Sequence, residues 1–132
     1  MKSLMTSVAI AALAAGIGGC ASGEKSLQEK GLAPMSQMEL TSEYARTRTI
    51  KWRNAAGVTG TATYKPDGTA QVEWGRGSDT GKWRIASGQF CTHWTTARNG
   101  TEYCTRIYRT GENEYESFNL DGSPSGSYSF TN

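Results

Sequence analysis

From about Thr47 onward the side chains alternate with a period of two, and that alternation limits what the chain can fold into. Val58, Gly60, Ala62 and Tyr64 alternate with Thr59, Thr61, Thr63 and Lys65, and Val72 and Trp74 alternate with Gln71 and Glu73. The same phase continues in Trp83 and Ile85 against Lys82 and Arg84, then in Phe90, Thr92 and Trp94 against Cys91 and His93. Successive side chains of a strand point to opposite faces, so each run has one dry face and one wet one. Pro66-Asp67-Gly68, Ser87-Gly88, Asn99-Gly100, Gly111 with Asn113, and Asp121-Gly122 interrupt the runs at hairpin spacing. These residue types supply the positive φ or the local side-chain bonds that tight turns need. The pattern predicts about eight strands, near 47–54, 58–65, 69–75, 79–86, 89–96, 102–109, 113–120 and 126–131. Consecutive strands joined by short turns form an antiparallel meander, so the expected fold is all-β, a strongly curled sheet or a small up-and-down barrel. Aliphatic side chains are too few to fill such a core, and four Trp, six Tyr and three Phe must carry it.

Residues 1–19 have a different character. Lys2 precedes Val8-Ala9-Ile10-Ala11-Ala12-Leu13-Ala14-Ala15, an apolar run shorter than the roughly 20 residues a spanning helix needs. The arrangement is that of an export signal. Ile17-Gly18-Gly19-Cys20 resembles the lipobox cut by lipoprotein signal peptidase, which would leave Cys20 as the acylated first residue of the mature chain. Ordinary cleavage after a small residue such as Ala21 would instead leave a soluble secreted protein. Ala21 stands where an Asp would resemble an inner-membrane retention signal, so the expected location is the outer membrane. Acyl chains hold a domain there at about 0.8 kcal/mol per buried CH₂. Residues 20–35, small and charged without periodicity, read as a flexible tether, and 36–132 as the β-domain. Ser36-Gln37-Met38-Glu39 has the form of a capping box, with Leu40 and Tyr44 four apart, and predicts one short helix that covers a sheet end.

With Cys20 acylated, Cys91 and Cys104 remain as a pair in an oxidising compartment, where a disulfide is the expected state. A two-residue turn at Asn99-Gly100 would set Cys104 opposite Thr95 and leave Cys91 about 13 Å farther along its strand. No disulfide spans that distance. Three arrangements stay open: a turn nearer Ala97-Arg98 that makes the cysteines direct partners, a bulge that shifts the register, or two separate thiols.

The formal charge of +2, from 14 basic and 12 acidic residues, is too balanced for a nucleic-acid binder. Gly75-Arg76-Gly77-Ser78-Asp79-Thr80-Gly81 has the outline of a phosphate-binding loop, but Thr80 stands where G-x-G-x-x-G needs Gly and no helix follows. It reads as a strand-to-strand loop. His93 is the only histidine, and with no second imidazole or free thiol at ligand spacing no metal is expected. No Ser sits in a G-x-S-x-G elbow, and Glu112, Glu114 and Glu116 read as a solvated strand face rather than a glycosidase pair. No catalytic residue and no cofactor is expected, and the chain reads as a non-enzyme. Trp52, Trp83 and Trp94 stand beside Ile50, Ile85 and Phe90 and read as core. Trp74, next to the polar 75–81 loop, is the candidate ligand-binding ring, partly exposed at a groove for a sugar or peptide.

Tyr64-Lys65-Pro66-Asp67-Gly68, Gly81-Lys82-Trp83, the C-x-x-W of Cys91 and Trp94, the C-x-x-x-Y of Cys104 and Tyr108, and Asp121-Gly122 occur in that order. Together, over roughly residues 36–131, they resemble a domain-of-unknown-function family of small exported alphaproteobacterial proteins. The resemblance implies an exported β-rich domain and no activity. The function expected from the sequence is therefore a lipid-anchored envelope domain that acts by binding a protein or glycan. The alternative is a periplasmic inhibitor of a hydrolase, such as lysozyme or a protease. A purely structural envelope protein would bind nothing saturably.

Overall fold

The computed structural model describes residues 23–132; the export signal and Cys20 lie outside them. Eight strands follow in order: β1 (Arg48–Asn54), β2 (Thr59–Tyr64), β3 (Thr69–Trp74), β4 (Gly77–Ala86), β5 (Gln89–Trp94), β6 (Tyr103–Gly111), β7 (Glu114–Asn119) and β8 (Pro124–Phe130). Each pairs antiparallel with the next, and β1 pairs with β8 through Ile50–Phe130 and Trp52–Tyr128, so the sheet closes into an up-and-down barrel. Closure gives every strand a partner on both sides. The strand alternation places Ile50, Ala62, Tyr64, Val72, Phe90 and Ile107 in the interior. Lys51, Thr61, Gln71, Glu73, Lys82 and Arg84 are exposed on the outer wall, the reverse of the apolar band that a membrane-spanning barrel presents.

A helix α2 (Gln37–Glu43) stoppers one end. Its capping box is formed in full: the Ser36 N–H donates to Glu39 Oε1 at 2.9 Å and the Glu39 N–H to Ser36 Oγ at 3.1 Å. Leu40 and the C-cap Tyr44 are buried. The Tyr44 ring lies 4.6 Å from Phe90 and 5.6 Å from Trp83, centroid to centroid, and its hydroxyl donates to Tyr128 at 3.2 Å.

The segment read as a tether belongs, from residue 23 onward, to the folded body. A second helix, α1 (Glu24–Glu29), lies against the outer wall of β6 and β7. Leu27 packs on Tyr108 and Phe118. The buried Glu24 carboxylate accepts two bonds from Arg106, at 2.7 and 2.8 Å, and one from the Tyr108 hydroxyl at 2.7 Å. A lone aliphatic cannot dock six residues; the charge-assisted bidentate pair supplies the rest.

Cys91 and Cys104 are direct partners in the β5–β6 register and are joined in a disulfide. The intervening chain takes the first of the three arrangements, a wide turn whose 3₁₀ segment Ala97–Gly100 contains Arg98 and Asn99, both at φ 57°.

Candidate functional site

Opposite the stopper the barrel is open. A cavity of about 390 Å³ runs from Tyr44, Tyr64 and Phe90 at the closed end to Asn54, Val58, Ala97 and Arg98 on the turns at the other. Three of its wall rings are tryptophans, and each lies opposite an inward-facing glycine on a neighbouring strand: Trp52 on Gly60, Trp74 on Gly77, Trp94 on Gly81. A Cβ on any of these glycines would meet the ring. The missing side chain therefore lets each indole lie flat along the wall instead of standing across the lumen, an aromatic covering of a bare backbone.

The wall is chemically divided. Ile50, Ala62, Val72, Trp74 and Trp94 make one side apolar, while Thr92, Thr105, Ser117, Ser125 and Ser127 bring hydroxyls or serine backbone to the other. The Tyr103 hydroxyl donates to Ser125 Oγ at 3.0 Å, and Thr105 Oγ1 donates to the Phe90 carbonyl at 3.5 Å. Trp52 Nε1–H is buried and has no acceptor among the described residues. No Asp or Glu lines the cavity among the described residues.

Two arginines, Arg53 and Arg98, bring positive charge to the lining, and Arg98 lies on the turn at the mouth. Its guanidinium stacks 3.4 Å above the centre of the Tyr103 ring. Burial pushes the Tyr64 hydroxyl well above the usual phenol range, and the Arg98 charge opposes that shift. Burial likewise holds Tyr44 and Tyr128 protonated. The turn that carries Arg98 is held down by Asp79, whose Oδ2 accepts the Ala97 and Thr96 N–H groups at 2.7 and 2.9 Å. Those two bonds keep the Asp79 carboxyl below the ordinary carboxylate range.

Trp74 is half-buried and lines the cavity near its open end. Trp94 is buried at 7% exposure, as expected for core, yet it also lines the lumen. Trp52 and Trp83 are half-buried rather than buried. Trp52 joins Trp74 on the wall, whereas Trp83 sits at the closed end, its ring stacked on Phe90 and its Nε1–H donating to the Lys65 carbonyl at 2.8 Å. Arg98, Tyr103 and the serines were not singled out by the sequence. The available signal was Ser117 on the inward phase of β7; on β8 the inward phase carries Gly126, Tyr128 and Phe130, and Ser125 reaches the lumen at the β7–β8 register shift. Cys91, Cys104 and Glu102 converge within ligand distance, but both sulfurs are spent in the disulfide and offer no thiolate.

A family profile described as a protein of unknown function, DUF995, matches residues 3–124, in agreement with the resemblance carried by the turn, tryptophan and cysteine motifs. No curated protein matches the chain. No solved structure matches it either.

Proposed function

We propose that this chain, which belongs to the DUF995 family, is a binding module of the cell envelope, lipid-anchored at Cys20, whose ligand site is the open lumen of the barrel. The observation that carries the reading is the cavity of about 390 Å³, stoppered by Tyr44 and walled by rings, hydroxyls and two arginines, Arg53 and Arg98. That volume lies in the range of small-molecule sites, which combine an apolar lining with a few placed polar groups. The ligand that fits is an amphiphile with an apolar body and one anionic group. Trp52, Trp74, Trp94, Ile50 and Val72 receive the body; Arg98, without a carboxylate partner among the described residues, receives the anion. Hydroxyls on the wall have no carboxylate or imidazole among the lining residues to activate them, which supports binding over catalysis.

The test is titration calorimetry on the chain exported with Cys20→Ser, using decanoate and decanol as probes. Saturable binding of decanoate, weaker binding of decanol, and a loss of about tenfold in decanoate affinity for Arg98→Gln or Trp74→Ala support the site. A folded protein that takes up neither probe overturns it.

A further inference from the structure

We infer that the open end of the barrel faces the membrane, with its rim against the anionic phospholipid surface that carries the anchor. The inference rests on the proposed acylation of Cys20. Its geometric basis is the point where the described chain begins. The Glu24 N–H donates to the Gly122 carbonyl at 3.1 Å, and Gly122 lies in the β7–β8 turn at the open end. The Glu24 carboxylate is gripped by Arg106, whose Nη2 also donates to the Leu120 carbonyl of that turn at 3.0 Å. Gly23 is therefore pinned beside the mouth, and Cys20 precedes it by three residues, a reach of at most about 11 Å. A strand of seven residues is already about 23 Å long. A leash of that reach cannot pass the length of the barrel to present the stoppered end to the bilayer.

The surface chemistry of the two ends agrees with this direction. Val58 and Leu120, 43% and 49% exposed, stand on turns at the open end, beside Arg76 and Arg98. Of the carboxylates nearby, Glu102 is engaged by Arg84, Asp121 by Ser123 and Asp79 by the Ala97 and Thr96 N–H groups, while Glu73 is exposed. At the stoppered end Glu39, Glu43, Asp67, Glu112 and Glu114 stand together with Arg46, Arg48, Lys65 and Arg109, a mixed surface with no excess of positive charge to draw it to an anionic headgroup layer. The lumen then opens onto the bilayer, and its amphiphile enters from the lipid side.

Hydroxyl-radical footprinting, read by mass spectrometry, tests the orientation on the full acylated chain in vesicles of phosphatidylethanolamine and phosphatidylglycerol, against the released Cys20→Ser chain. Oxidation of Val58 and Leu120 should fall at least threefold on anchoring, while Met38, 79% exposed at the stoppered end, keeps its rate. Equal oxidation of Val58 and Leu120 in the two forms, with the acyl mass on Cys20 verified, overturns the orientation and leaves the anchor standing. Protection of Met38 instead overturns it in the opposite sense. An absent acyl mass on Cys20 overturns the anchor, and the orientation falls with it.

Discussion

Each tryptophan at the mouth owes its position to a residue without a side chain. Gly81 shows this at the residue scale, because a Cβ there would meet the His93 carbonyl at 2.5 Å and the Trp94 ring at 2.8 Å. The carbonyl belongs to the β4–β5 ladder and cannot give way as a flexible side chain would. Gly81→Ala should therefore destabilise by about 1–3 kcal/mol, the usual range for overpacking, and shift the tryptophan emission. Denaturant unfolding followed by fluorescence reads both. Trp94→Ala removes a buried ring and should cost about 3–5 kcal/mol. Trp74→Ala should cost markedly less, since its ring is half-buried. Equal losses for the two would place Trp74 in the core and take it out of the binding site. The alternation alone identified these rings as inward-facing, but of the three glycines it placed only Gly60 on the inward phase and read Gly77 and Gly81 as part of a strand-to-strand loop, whereas both lie in β4. That a ring lies over each glycine depends on cross-strand register, which no single strand encodes.

At the scale of the element, the two helices were legible to different degrees for one physical reason. The start of α2 is written within four residues, Ser36 to Glu39, and its capping bonds form as that spacing requires. The strands were legible for the same reason, since a period of two is local. Helix α1 is six residues long, and what docks it is the bond of Glu24 to Arg106, 82 residues away. The wide turn was one of three arrangements left open, because Asn99-Gly100 signals a tight hairpin whereas Asp79 holds residues 96 and 97 in another course. The Arg106 and Tyr108 bonds to Glu24 outweigh its burial and hold its carboxyl below the ordinary range. A lowered folded-state pKa contributes stability that is present above the unfolded value, about 4.3, and is lost as pH falls through the folded one. The docking of α1 should thus be independent of pH near neutrality and fail progressively below about pH 4.3. Amide exchange at Leu27 and Tyr108 would follow this loss. Glu24→Gln should destabilise the neutral-pH protein by about 1.5–3 kcal/mol, the scale of hydrogen bonds to charged groups, and remove the acid-dependent step.

For the whole molecule the decisive feature is where the barrel is weakest. Seven of its seams pair through four to six residues of each strand, but β5 and β6 pair only through Phe90–Thr105, Cys91–Cys104 and Thr92–Tyr103. Beyond Thr92 the chain departs into the wide turn. On the other side of Phe90 the free edge of β6 is met by the α1–α2 connection, where the Met35 N–H donates to the Ile107 carbonyl at 2.7 Å. The disulfide occupies the middle pair of that short seam and so fastens the one place where the closed lumen wall could part. Replacing both cysteines, Cys91→Ser with Cys104→Ser, should cost about 3 kcal/mol, as expected for closing a loop of this length. It should do so unevenly. Native-state hydrogen exchange should accelerate first along β5 and β6, while the β2–β3 amides keep their protection until global unfolding. Because Thr92, Trp94, Tyr103 and Thr105 of the lumen wall all flank the seam, decanoate affinity should fall with the same substitution even where the barrel remains folded. Uniform acceleration in every strand would show instead that the seam has no local opening and that the disulfide stabilises the barrel only as a whole.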